Sequence, residues 1–134
     1  MAAMTRILDP LALAATDLSH RIAACEISCV EVMHASLARI EALNPRFNAI
    51  VSLREPDALL AEAHQRDDEL AQGQRQGWMH GFPIAVKDLS DVQGLPTTFG
   101  SPAIGKRPAA GDALFVERRS RPCRSQRAGD RASL

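Results

Sequence analysis

The spacing of apolar residues predicts a short helix near the start of the chain. Leu18 and Ile22 lie four residues apart and therefore share one face of a helix over residues 16–25. Either Thr16 or Asp17 is predicted to cap its first turn, because short polar side chains accept hydrogen bonds from the free backbone amides there.

A second, longer helix is predicted to begin at Ser28. Ser28 and Glu31 have the spacing of a capping box, in which each side chain bonds the backbone amide of the other residue. Pro45 is predicted to end this helix, because a proline disfavours helical geometry at the residue before it, here Asn44. Apolar residues recur along the helix at intervals of three and four and predict one packing face: Val30, Met33, Leu37 and Ile40.

The middle of the chain alternates between short apolar runs and polar stretches. Residues 47–52 are a short apolar run that predicts a strand or an extended segment, and residues 82–86 are an apolar run that predicts a buried strand. Residues 57–72 predict a helix that follows a proline and ends before Gly73, its predicted C-terminal cap. The acidic run at residues 67–69 is interpreted as a solvated face of that helix. Residues 112–118 predict the start of a further helix.

The charge and composition exclude several classes of protein. The chain has 134 residues with 16 basic and 16 acidic side chains, so its formal net charge of +0 gives no reason to expect nucleic acid or a membrane as a partner. No apolar run approaches the roughly 18 residues that a transmembrane helix needs, and no secretory signal is visible. The three cysteines, Cys25, Cys29 and Cys123, lack a zinc-like spacing and are typical of reduced thiols, which predicts a cytoplasmic protein without a metal.

The distribution of residue types predicts a boundary after residue 118. All 8 glycines lie at or after Gly73, and residues 119–134 hold five arginines and one acid. We expect residues 1–118 to fold and residues 119–134 to form a disordered basic tail, because excess charge with little apolar surface cannot support a core. Clustered arginines could instead contact RNA, DNA or anionic lipid, although the tail has no aromatic residues for reading single strands.

One lysine has a position that suits catalysis. Lys87 directly follows the predicted strand over residues 82–86. A lysine is rarely buried without a partner, and burial favours the neutral amine, which can act as a general base. The Gly-, Thr- and Ser-rich stretch at residues 94–101 could supply hydrogen-bond donors beside it. Taken alone this pattern is weak, because most lysines after a strand point to water.

A longer motif contains this lysine. We use "the motif" for residues 81–101, which read Gly81-Phe82-Pro83-Ile84-Ala85-Val86-Lys87-Asp88, two further residues, and then Asp91-Val92-x-Gly94-Leu95-Pro96-Thr97-Thr98-x-Gly100-Ser101. This spacing resembles the first block of the amidase signature family. The resemblance extends over roughly residues 16–118, including Leu37 to Ala49 before the predicted strand. It is more specific than a single Lys-Asp pair.

The resemblance implies a fold and a mechanism. The implied fold is α/β, with residues 1–118 forming the N-terminal part of a mixed sheet flanked by helices. Lys87 matches the family's catalytic lysine, which accepts a proton through a serine in a cis peptide from a second serine that attacks the amide carbonyl. Asp88 is an orienting neighbour in that motif. Three further residues match a supporting loop: Thr97, Thr98 and Ser101.

The sequence departs from the family pattern after residue 118. The family's two serines lie in a Gly-Gly-Ser-Ser-Gly-Gly-like block, which these 134 residues do not contain. The Arg-, Ser- and Pro-rich residues 119–134 are typical of GC-rich DNA translated out of frame, so our hypothesis is a frameshift near codon 118. We therefore expect a truncated chain that lacks amidase activity by itself and, missing most of its sheet, has marginal stability or partial disorder.

Two other hypotheses stay open. The family also includes one component of the tRNA-dependent amidotransferase, and the motif indicates the chemistry without the substrate. The chain could alternatively be a non-catalytic interaction module that binds a partner through its helix stripe and unpaired strand. The expected ligand of a full-length relative is a small-molecule amide, with no cofactor, no specific nucleic acid and no membrane, and the oligomeric state cannot be read.

Overall fold

The computed structural model describes residues 9–105 and 107–120. A short 3-10 helix over Pro10–Ala12 precedes four α-helices. They are α1 (Ala15–Ala23), α2 (Cys29–Phe47), α3 (Pro56–Ala71) and α4 (Leu114–Ser120). We call residues 10–71 the helical region, residues 72–80 the connecting loop and residues 81–118 the C-terminal region. None of the helices within the described ranges is long and apolar enough to cross a membrane.

Helix α1 confirms the first predicted helix but not its cap. The residue before the helix is Ala14, and no side chain bonds the free amides of the first turn. The prediction of Thr16 or Asp17 as the cap was therefore wrong, because both residues lie inside the helix. Asp17 still places a negative charge in the first turn, where the helix dipole favours it.

The start of α2 confirms the predicted capping box, but its predicted end was wrong. The Glu31 amide donates to Ser28 Oγ at 3.1 Å, and the Ser28 amide donates to Glu31 Oε2 at 2.8 Å. The helix continues through Pro45 to Phe47, because a proline in the last turn removes only one amide donor. It ends where Asn48 takes up a left-handed conformation with φ 48°.

Helix α3 confirms the helix predicted over residues 57–72. Pro56 occupies its first turn, where the missing amide has no partner to lose. Gly73 follows the last turn with φ +75°, as a C-terminal cap glycine does.

The core lies where α1 and the start of α2 meet α3. Its buried side chains are Leu18, Ile22, Ile27, Cys29, Val32 and Ala63. The predicted packing face of α2 was therefore only partly right: Val30 and Met33 pack against the core from its edge, whereas the fully buried residues are Cys29 and Val32. The observed buried face of α2 lies about one residue away from the predicted one. The side chains that cover it belong to α3 and to Ile27, and the spacing of apolar residues within α2 does not indicate them.

No strand occurs in the ranges that the structure describes, so the predicted sheet is not confirmed. The strand predicted over residues 82–86 is not found, and residues 47–52, predicted as a strand or an extended segment, form no strand either. The described residues have two isolated bridges, Gln93 with Ala109 and Pro96 with Pro108. An apolar run forms a strand only when another strand accepts and donates its backbone hydrogen bonds. The described part of the chain supplies no such neighbour for residues 82–86.

The predicted boundary after residue 118 falls inside α4, which ends at Ser120. The basic tail predicted over residues 119–134 lies, from residue 121 onward, outside the described residues. The frameshift hypothesis concerns the same segment.

Candidate active site

The connecting loop reaches the motif through a buried histidine. His80 is only 3% exposed and accepts the Gln76 amide at its Nδ1 atom, at 3.1 Å. Because Nδ1 is an acceptor, the other ring nitrogen carries the proton and donates to the backbone oxygen of Arg66 in α3, at 2.7 Å. His80 therefore ties the loop to α3 immediately before the motif begins.

A second buried polar residue holds the same loop against α1. Ser19, 4% exposed, donates its hydroxyl hydrogen to the backbone oxygen of Trp78. The Arg75 guanidinium donates to Ser19 Oγ at 2.8 Å. Hydrogen bonds therefore hold the loop to α1 through Ser19 and to α3 through His80. The loop itself is mostly polar, so these bonds and not apolar packing fix its position.

The first residue of the motif lies against the start of α2. Gly81 has φ +76°, and a Cβ atom added there would stand 2.2 Å from Cys29 Sγ and 3.0 Å from Cys29 Cβ. Cys29 is 0% exposed and cannot move aside without disturbing the core. Only glycine therefore fits at this position, for reasons of both space and backbone conformation.

An aspartate on α3 completes this junction. Asp67 Oδ1 accepts the Cys29 amide at 2.7 Å, and Oδ2 accepts the Val30 amide at 3.2 Å. The carboxylate thus caps α2 from a neighbouring helix and interacts favourably with its dipole. Burial, followed by the hydrogen bond and charge of Asp67, raises the pKa of the Cys29 thiol from 9.0 to about 12.

Asp67 corrects the interpretation of the acidic run at residues 67–69 as a solvated helix face. Asp68 is exposed, but Asp67 is half-buried and Glu69 accepts hydrogen bonds from Arg66 and Gln76. The three acidic residues alone do not indicate which of them is exposed and which forms hydrogen bonds. The only signal in the sequence was that the amides at the start of α2 need more acceptors than Ser28 alone supplies.

Inside the motif, Asp88 organises the turn that follows Lys87. Its carboxylate accepts the Thr98 amide at 2.7 Å, the Thr98 hydroxyl, and the Gly100 amide at 3.2 Å. These bonds, those from Thr98 first, hold the pKa of the Asp88 carboxyl below its ordinary value of 3.8. The turn wraps around the carboxylate with Phe99 at φ 53°, a left-handed conformation that costs a non-glycine residue roughly 1–2 kcal/mol.

Two more aspartate side chains bond the motif, Asp91 from within it and Asp112 from the segment before α4. Thr97 Oγ1 donates to Asp91 Oδ1, and the Gln93 amide donates to Asp112 Oδ1, each at 2.7 Å. The amide of Ala113 also donates to the Asp91 backbone oxygen at 2.8 Å. The motif is therefore a hydrogen-bonded assembly of turns around carboxylates, with few buried apolar side chains.

Lys87 itself is exposed. Its backbone oxygen accepts the amides of Leu89 at 2.7 Å and Ser90 at 3.2 Å, so the residue lies at the start of a tight turn. Of the residues predicted to support Lys87, Asp88 and Thr98 bond each other next to it. Thr97 bonds Asp91. Ser101 accepts the Ala103 amide at 3.3 Å. The exposure of Lys87 is the outcome that its residue pattern, taken alone, favours for a lysine after an apolar run.

An open groove of about 520 Å³ runs beside the motif, between α3 and the connecting loop. Its lining includes Arg66, Trp78, Phe82 and Ile84. Trp78 and Phe82 meet edge to face with ring centroids 6.0 Å apart, a favourable aromatic geometry. Within the described ranges no cluster of three or more His, Cys, Asp or Glu residues could hold a metal ion.

The chain is similar in sequence to known proteins. The model of the amidase family matches residues 31–121, and the chain belongs to this family. It is 35% identical over 106 residues to an acylamidase from Rhodococcus erythropolis, covering 79% of this chain and 22% of that protein. It is 43% identical over 98 residues to the A component of the glutamyl-tRNA(Gln) amidotransferase from Chloroflexus aurantiacus, covering 72% of this chain and 20% of that protein.

A solved structure shares the fold of this region. The peptide amidase from Stenotrophomonas maltophilia superposes with a TM-score of 0.74 at 33% identity, over 83% of this chain and 23% of that one. The chain therefore spans about a fifth of the length of the relatives it matches.

Proposed function

We propose that this chain supplies the general base of an amide-hydrolysing site, and that Lys87 is that base. The observation that carries the proposal is the turn around Asp88, because three donors from Thr98 and Gly100 fix the residue next to Lys87. The lysine is thereby presented at an open surface on a defined backbone. General acid–base catalysis by a positioned side chain contributes about 10²- to 10⁴-fold in rate.

The reaction assigned to the complete site is nucleophilic hydrolysis of a carboxylic-acid amide. The Lys87 amine would accept a proton through one serine from a second serine, whose oxygen attacks the amide carbonyl and forms an acyl-enzyme. Asp88 would position Lys87 without touching the substrate. The 134 residues contain no Gly-Gly-Ser-Ser-Gly-Gly-like block, so these residues by themselves are proposed to be inactive.

A second candidate follows from the higher identity to the amidotransferase component, 43% against 35% for the acylamidase. In that case the same lysine and serines would release the amide nitrogen for transfer to another acceptor. The turn around Asp88 is compatible with both amide hydrolysis and transfer of the amide nitrogen. The two reactions differ in their substrates.

A chimaera tests the proposal directly. Residues 31–121 replace the matching segment of the Rhodococcus erythropolis acylamidase, and hydrolysis of a simple aryl amide is followed. We expect activity that falls by at least about 10²-fold in Lys87→Ala. The matched control is Lys106→Ala, which removes the only other lysine of the sequence and should leave the rate unchanged.

An unaltered rate in Lys87→Ala would overturn the proposal, as would an equal loss in the two variants. The 134-residue chain alone should not turn over the same amide. A glutaminase assay in a second chimaera, built on the amidotransferase component, separates the two candidate reactions.

A further inference from the structure

Phe99 has a strained backbone conformation inside the motif. Its φ of 53° lies in the left-handed region, which a bulky side chain rarely occupies. The other described non-glycine residues with positive φ are Cys25 and Asn48, and each follows the last turn of a helix, where that conformation ends the helix. Phe99 follows no helix, so its conformation needs another cause.

The carboxylate of Asp88 supplies that cause. It accepts the amides of Thr98 and Gly100, the residues on either side of Phe99, at 2.7 and 3.2 Å. Asp88 is also the residue next to Lys87, so a single carboxylate fixes the backbone of Phe99 and that of the proposed base together. A strained residue that is held in this way beside a catalytic group is typical of a functional site.

The ring of Phe99 contributes little to the described fold. It is 58% exposed and belongs neither to the apolar core nor to the side chains that pack against the core. A glycine at this position would adopt the same turn without strain. The turn therefore does not require a phenylalanine, and the exposed ring is available to contact a ligand beside Lys87.

We infer that Phe99 determines substrate specificity, and that its ring contacts an apolar, aromatic group of the amide that is attacked at this site. Two aromatic rings attract each other beyond the apolar area that they bury. The inference rests on the proposed function, because it is Lys87 that places the reacting amide next to this turn. The aromatic group can lie on the acyl side or on the nitrogen side of the amide, and the experiment distinguishes the two.

The experiment uses the chimaera that carries residues 31–121 in the Rhodococcus erythropolis acylamidase. Its kcat/KM is measured for acetamide, which has no aromatic group, for phenylacetamide, which has one on the acyl side, and for acetanilide, which has one on the nitrogen. We expect Phe99→Ala to lower kcat/KM at least about tenfold for one of the two phenyl amides and less than about twofold for acetamide. Phe99→Leu keeps an apolar side chain and should recover most of the loss.

The matched control is Phe47→Ala, because Phe47 is 61% exposed and lies at the end of α2, outside the motif. It should leave the relative rates for the three amides unchanged. Phe99→Gly removes both the ring and the strain, so it should lose the same selectivity, while the melting temperature of the 134-residue chain stays at least as high as that of the parent.

An equal loss for all three amides in Phe99→Ala would overturn the inference, because it would assign the ring to folding. A lower melting temperature in Phe99→Gly would contradict it for the same reason. If Lys87→Ala lowers all three rates and Phe99→Ala has no selective effect, the inference fails and the proposed function stands. A selective effect of Phe99→Ala with none from Lys87→Ala supports the contact and contradicts the proposed function.

Discussion

The helical region and the C-terminal region of this chain are held together by different forces. In the helical region, α1, α2 and α3 bury a shared set of apolar side chains, with Ile22, Cys29 and Val32 fully enclosed. The C-terminal region instead depends on carboxylates that bind backbone amides and hydroxyls, with Asp88 at the centre of the motif. Its apolar residues remain mostly outside.

The residues that form the apolar core and the residue proposed for catalysis therefore lie in different regions of the chain. The buried members of the core all lie in the helical region, between Leu18 and Ala63, and Phe82 of the C-terminal region packs against them from the edge. The C-terminal region holds the proposed base in a defined turn but leaves the apolar surface around it uncovered. A motif can therefore be locally organised by hydrogen bonds while its wider environment depends on contacts supplied from elsewhere.

The junction between the two regions should give the largest effect. Gly81→Ala combines a left-handed backbone with a Cβ atom 2.2 Å from Cys29 Sγ, so we expect a loss of about 2–5 kcal/mol in the free energy of unfolding. Gly77→Ala is the matched control, since its φ is +89° and nothing lies within 4 Å of the new atom. It should cost only about 1–2 kcal/mol, from backbone strain alone.

Urea denaturation followed by circular dichroism measures both glycine variants. Equal losses of unfolding free energy in the two variants would show that the contact with Cys29 does not contribute to the effect. In the double variant Gly81→Ala, Cys29→Ala, part of the loss should be recovered, because the sulfur atom is removed.

A smaller effect is expected at the cap of α2. Asp67→Ala removes the acceptor for the Cys29 and Val30 amides and should lower the free energy of unfolding by about 1–3 kcal/mol. Asp68→Ala, on the exposed face next to it, should change the stability by less than about 0.5 kcal/mol. A melting-temperature comparison of the two variants checks this, and equal shifts would contradict the assigned cap.

The smallest effect is local and depends on pH. The folded-state pKa of Asp88 lies below its unfolded value of 3.8, so the carboxylate contributes its bonds at neutral pH and loses them as the pH falls through that lowered pKa, below 3.8. We expect the NMR amide signals of Thr98 and Gly100 to shift in that range while the unfolding free energy changes little, because the group is at the surface. Asp88→Asn should abolish the shift, and a shift that persists in this variant would assign it to another group.

The sequence predicted local features well and contacts between distant residues poorly. The capping box of Ser28 and Glu31 and the glycine after α3 were predicted correctly, because each depends on residues a few positions apart. Asp67 and His80 were missed as contact residues, since their partners lie 38 and 14 residues away. No period or composition in one segment indicates such a partner.

The motif was found by its spacing, but its environment was not. The predicted strand over residues 82–86 rested on apolar character, which an exposed and unpaired segment shares with a buried strand. The pairing of Asp88 with Thr98 and Gly100 followed from neither charge nor period. It requires the left-handed turn at Phe99, which the sequence Thr-Thr-Phe-Gly does not reveal by itself.

Hydrogen–deuterium exchange of the isolated 134-residue chain tests the contrast between the two regions most directly. We predict slow exchange at the amides of residues 33–43 in α2 and 60–70 in α3, and exchange near the unprotected rate at residues 84–86. The amide of Thr98 should show intermediate protection from its bond to Asp88. Equal protection of residues 84–86 and of the two helices would show that the C-terminal region is already complete, and would contradict the account.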